Sequence, residues 1–107
     1  MYIEYDEYEL IELFESEPTP ILQKEAGMFI YGKNDNNGIR LTLSMSIYEM
    51  ECSIGISVGE HVVFETTLKN VESMRSKDKC LRIHQKESTQ DYLIYFGATI
   101  FVKIEEV

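Results

Sequence analysis

The first seventeen residues, MYIEYDEYELIELFESE, contain no lysine or arginine, although they hold seven acids and three tyrosines. Other residues are scarce along the whole 107-residue chain. Pro18 and Pro20 are the only prolines, which excludes a long proline-rich linker. The start, Met1-Tyr2-Ile3-Glu4, lacks the basic and apolar regions of a secretory signal. No stretch approaches the ~20 apolar residues of a membrane span. The expected location is therefore cytoplasmic, where thiols stay reduced. Cys52 and Cys80, the only cysteines, are accordingly read as free, with Cys52 in the core.

Catalytic signatures are missing too. No serine sits in G-x-S-x-G, and neither G-x-x-x-x-G-K-[ST] nor G-x-G-x-x-G occurs. Zinc sites carry paired ligands at short spacing, such as C-x-x-C or H-x-x-x-H; here His61 and His84 fall on different predicted strands. Glu49 with Glu51, and Glu105 with Glu106, lack the aromatic platform of a sugar-cleaving site. The expectation is no enzyme, no cofactor and no metal.

What is present suits one domain spanning residues 1–107. Hydrophobic residues make up 44% and charged residues 27%, ordinary for a globular chain. A domain of this size buries roughly 60–70% of the surface its unfolded chain exposes, so it needs neither disulfide nor metal to fold. The net charge is -9, and the single basic island is KNVESMRSKDKCLRIHQK, six bases against two acids in residues 69–86. Such a chain repels phosphate backbones, so direct nucleic-acid binding is not expected. A basic protein partner suits the field better.

The pattern predicts an α+β, β-rich fold. Leu10, Ile11, Leu13 and Phe14 fall on one arc at 100° per residue, giving a helix over about 6–16 that stops before Pro18. Asp6 with Glu9 has the form of a capping box. From about residue 27 to 105 the period changes to two. Ile39, Leu41, Leu43, Met45 and Ile47 alternate with polar residues, as do Cys52, Ile54, Ile56 and Val58. Turns at NDNNG, Gly59-Glu60 and KDK help to divide the region into about eight short, mostly antiparallel strands. Eight flat strands would curl or split, so a bent sheet or two-layer sandwich follows. Val71, Leu81, Ile83, Leu93, Ile100, Val102 and Ile104 complete the candidate core.

The acids of the opening helix are the candidate partner-binding residues: Asp6, Glu9, Glu12, Glu15 and Glu17, with Tyr8 among them. Like-charge pairs at i,i+3 cost ~0.2–0.5 kcal/mol each, and Glu15 and Glu17 face the negative end of the helix dipole. A helix shaped only for stability would mix signs, and an exposed tyrosine supplies contact area at low entropy cost. The competing readings are a merely solvated face and a basic island, with Lys77 and Lys79 at a turn, that balances the acids.

The stretches RLTLSMSIYEMECSIGISV, FETTLKNVESMRSKDKCLRIHQ and YLIYFGATIFVKIEE resemble, as strand patterns, the small cytosolic immunity proteins of bacterial polymorphic-toxin and contact-dependent inhibition systems. That resemblance implies a non-enzymatic inhibitor that binds a toxin domain, often a nuclease, and blocks its active site. It transfers no site residue. Two rivals stand beside it: a small-ligand or regulatory β domain with its ligand between the layers near Tyr92, Tyr95 and Phe96, and an enzyme using His61 or His84. Exposed strand edges also allow a homodimer.

Overall fold

Alternation in the chain's middle third builds the first sheet. In the computed structural model, which describes residues 1–107, helix α1 (Glu7–Phe14) is followed by β1 (Thr19–Pro20) and a 3₁₀ turn at Lys24–Ala26. Strands β2 (Met28–Asn34), β3 (Ile39–Ser46), β4 (Glu51–Val58) and β5 (His61–Leu68) then form an antiparallel meander in the order β1-β2-β3-β4-β5. Leu41, Leu43 and Met45 stand opposite Ile56, Ile54 and Cys52. All of these are buried except Ile56, which is half-buried. The second sheet, β6 (Val71–Lys77), β7 (Cys80–Gln85), β8 (Gln90–Phe96) and β9 (Ile100–Glu106), is likewise a meander in chain order. One helix with nine antiparallel strands in two sheets is the α+β, β-rich architecture the pattern predicts. No helix is long and apolar enough to cross a membrane.

The KDK turn closes with Asp78 and Lys79 both left-handed, at φ 52° and 58°. This is the backbone a two-residue hairpin of right-twisted strands requires. Two core assignments need correction, and a third, Leu93, is buried as expected but away from the main cluster. In β8 the residues that pack into the main core are Ile94 and Phe96, whereas Leu93 is buried on the opposite face, outside that cluster. The run Tyr92-Leu93-Ile94-Tyr95-Phe96 is apolar on both faces, so its period does not say which face is inward. Val58 and Ile104 are exposed, because each lies near the end of its strand, with β4 running beside the edge strand β5 and β9 itself an edge.

Two short segments tie the sheets together. The Ile3 amide donates to the Ile47 carbonyl at the end of β3, and the next residue, Glu4, pairs with β6 through Glu4 N to Glu72 O and Met74 N to Glu4 O. Ile3 is 1% exposed, so the link runs through the core rather than over it. At the other end Asp35, in the β2–β3 turn, accepts from the amides of Asn37 and Ile39 with one oxygen and from Ile100 of β9 with the other. Partial desolvation alone would raise its carboxyl, but those three amide donors outweigh it and hold Asp35 below the usual carboxylate range.

Eight residues are too few for a helix to be stable by itself in water. Tertiary packing holds α1: Leu10, Leu13 and Phe14 are buried, and the Phe14 ring lies 5.2 Å from Tyr31 of β2 and 5.0 Å, edge to face, from Phe96 of β8. The helix stops two residues earlier than expected. Glu15 turns left-handed at φ 56° before the prolines are reached.

Phe14→Ala should cost about 3–5 kcal/mol in urea unfolding, since it empties a site shared by three elements. A loss near that of a surface substitution would show that the helix does not close the core. Asp35→Asn should flatten the acid side of the stability profile. A carboxyl held low in the folded state contributes stability above its unfolded pKa and loses it as pH falls through the folded value, so thermal melts between about pH 5 and 2 read the difference.

Candidate functional site

The acids of the opening segment do not form one free ladder, because α1 has a neighbour on each flank. Asp6 caps the helix, its side chain accepting from the amides of Tyr8 and Glu9 at 2.8 and 3.4 Å. The reciprocal half of a capping box is not made. Glu9 Oε1 instead accepts from the Ser76 amide of β6 at 3.0 Å, which places the helix against the second sheet. Glu12, exposed, lines with Glu9, Lys77 and Lys79 a cleft of about 330 Å³ between the helix and the β6–β7 turn. Glu15 bonds Lys33 of β2 at 3.2 Å, with the carboxylate side chain 77% exposed. An ion pair of that kind is worth about 0–1 kcal/mol. The bases sought near these acids are therefore present, supplied by β2 and by the β6–β7 turn.

The opposite flank is different. Glu7 and Ile11, one helical turn apart, face β1 and β2 across a crevice of about 250 Å³ to which Glu17, Tyr5 and Tyr31 also contribute. Tyr8 stands out from the surface at 79% exposure. Of the candidate residues, Asp6, Glu9 and Glu15 have bonds within the chain, whereas Tyr8, Glu12 and Glu17 project without one. Glu7, Tyr5 and Tyr31 join the acidic surface only once the crevice is seen. The i,i+4 spacing of Glu7 and Ile11 was legible in the sequence; the approach of β2 was not.

Apart from Lys77 and Lys79 beside the helix, the arginines of the basic island lie on β6 and β7 and are paired with acids. Arg75 pairs with Glu4 at 3.5 Å. Arg82 binds Asp91 at 2.8 Å and Glu105 at 3.2 Å. His84 Nδ1 meets the other Asp91 oxygen at 2.7 Å. Burial pushes the Asp91 carboxyl up, but the Arg82 and His84 hydrogen bonds and charges outweigh this and hold it below the usual range. With both oxygens engaged and 3% exposure, Asp91 is a neutralised buried acid. Ser73 stands opposite His84 in the register, so Ser73, His84 and Asp91 form one row across β6, β7 and β8. The row lies on an open sheet face, and the serine makes no hydrogen bond to the imidazole, so nothing there is poised as a nucleophile. His61 sits exposed on the edge strand β5.

The proposed interlayer ligand site does not assemble. Phe96 fills the core against Phe14, while Tyr95 faces the other way and stacks on Phe101 at 4.5 Å. Both cysteines are free. Burial pushes the Cys52 thiol up to about 12 and raises Cys80 as well, which makes each a poor nucleophile. No group of three or more His, Cys, Asp or Glu side chains converges to hold a metal ion. The sequence also gave no warning that Val62, Val63 and Phe64 of β5 would be exposed on a sheet edge.

No family model matches the chain, and no curated protein does. Its fold is similar to that of a chain in the contact-dependent growth inhibition toxin–immunity protein complex from Klebsiella pneumoniae 342, with a TM-score of 0.79 and 22% identity over 100% of both chains. The likeness predicted from the strand pattern is thus present in three dimensions. At that identity it establishes a common fold.

Asp91→Ala should destabilise the protein by about 1–3 kcal/mol at neutral pH, by stripping Arg82 and His84 of a buried partner. Asp91→Asn should weaken the loss of stability on acidification. The folded carboxyl is held low, so its contribution is present above about pH 4 and disappears as pH falls through its folded value. Equal acid limbs for the wild type and Asp91→Asn would contradict the assignment.

Proposed function

We propose that this chain is a non-catalytic immunity protein that acts in the cytoplasm, binding a basic toxin domain and covering its active site. The observation that carries the reading is the full-length fold match to a chain of a toxin–immunity protein complex. The charge supports it: the net value is -9, with seven acids and no base in residues 1–17. A nuclease is the toxin class that suits best, because a groove that attracts phosphates also attracts an acidic protein and can be occupied by it. The exposed members of the acidic segment, Tyr8, Glu12 and Glu17, together with Glu7, are the residues assigned to the interface. Glu9 is bonded to the Ser76 amide, and Glu15 is paired with Lys33.

Homodimerisation through a strand edge would use β5, whose Val62, Val63 and Phe64 are exposed beside an unpaired backbone edge. Sedimentation equilibrium at the highest soluble concentration tests it, and a monomer there removes it.

The decisive experiment uses the toxin module of a gene adjoining this one. Co-expression should rescue cells from that module, and the purified pair should associate with strong salt dependence. Glu12→Lys combined with Glu17→Lys should slow association about tenfold at low salt while leaving the melting temperature nearly unchanged. Unaltered association kinetics would remove the acidic segment from the interface, and a neighbourhood of metabolic enzymes would sink the immunity reading.

A further inference from the structure

The crevice between α1 and the β1–β2 edge combines aromatic side chains with carboxylates that have no partner in the chain. Its volume of about 250 Å³ accommodates one long side chain. Tyr5, Phe29 and Tyr31 supply aromatic walls, while Glu7 and Glu17 bring two carboxylates to it. Neither glutamate has a partner within the chain, in contrast to Glu9, bonded to the Ser76 amide, and Glu15, paired with Lys33. Tyr31 is 1% exposed, yet no buried side-chain oxygen is orphaned. Tyr31 lines the crevice, and its hydroxyl makes no hydrogen bond within the chain.

We propose that this crevice is a socket for the guanidinium of an arginine side chain presented by the basic partner. The inference rests on the partner being basic, as argued above. An arginine fork is planar, weakly hydrated and suited both to aromatic faces and to paired carboxylates. The Tyr31 hydroxyl and the two carboxylates are acceptors for its N–H groups. The local field agrees. Burial raises the Tyr31 and Tyr5 hydroxyls, and the negative charge of Glu7 raises both further. Burial disfavours any charge, a cation included, so it is the Glu7 contribution alone that favours an arginine there. Lys24, the only base lining the crevice, opposes this with one positive charge against two negative.

A test without any toxin is titration of the ¹⁵N-labelled protein with N-acetyl-argininamide, beside the neutral isostere N-acetyl-citrullinamide. The arginine compound should give saturable shifts centred on the amides of Tyr5, Ile11 and Tyr31, and the citrulline compound should not. Glu7→Gln with Glu17→Gln should weaken binding about fivefold or more, Tyr31→Phe should weaken it less, and Lys24→Gln should strengthen it. The same spectra report whether each variant is folded. Shifts that fail to saturate, that citrulline reproduces, or that scatter over remote acids such as Glu60 and Glu65 would overturn the socket. None of those results touches the immunity reading, whose test is rescue from the toxin.

Discussion

Phe14 is a contact that the helix and both sheets share. Its ring meets Tyr31 of the first sheet and Phe96 of the second, at the end of a helix too short to persist without packing. Everything on the acidic surface depends on that placement. If α1 were not pinned at its C-terminal end, neither the Glu9 bond to the Ser76 amide nor the crevice beside Tyr31 would have a defined geometry. The Ile3–Glu4 segment acts in the same direction, because it bonds to β3 and then to β6 immediately before the helix begins. A charged surface on eight helical residues is thereby fixed to the two sheets.

That anchoring resolves the peculiarity of an opening segment with seven acids and no base. Its like-charge repulsion is relieved from outside the segment. Ser76 supplies an amide to Glu9, Lys33 an ammonium to Glu15, and the β6–β7 turn brings Lys77 and Lys79 alongside Glu12. What is left over is asymmetric. Glu9, Glu12 and Glu15 each have a donor or a base beside them, whereas Glu7 and Glu17 make no bond within the chain and have Lys24 as the one base lining their crevice. Inward-facing aromatic surface lies beside it, including a tyrosine hydroxyl with no partner in the chain.

Local signals carried much of this fold. Period-two alternation gave β3 and β4 with their inward faces, Asp6 gave the helix start, and Asp78-Lys79 gave a tight turn. The signals failed where one residue had two possible partners. In β8, apolar residues on both faces hide which side meets the main core: Leu93 is buried as expected, but Ile94 and Phe96 are the residues in the main cluster. At the helix, the pairing Asp6/Glu9 read as a closed box because the competing donor, Ser76, lies 67 residues away. The separation of the acids into two flanks was hidden for the same reason. It follows from how the second sheet's first hairpin lies against the helix, a long-range fact that no window of sequence contains.

The central claim is that the acidic segment and its adjoining crevice are the surface a basic toxin domain covers. Hydrogen–deuterium exchange of the protein alone and in complex with that domain tests it most directly. The account predicts slowed exchange in residues 5–20 and along β2, with the outward face of the second sheet unchanged. Protection confined to β7–β9, with residues 5–20 exchanging as in the free protein, would contradict it.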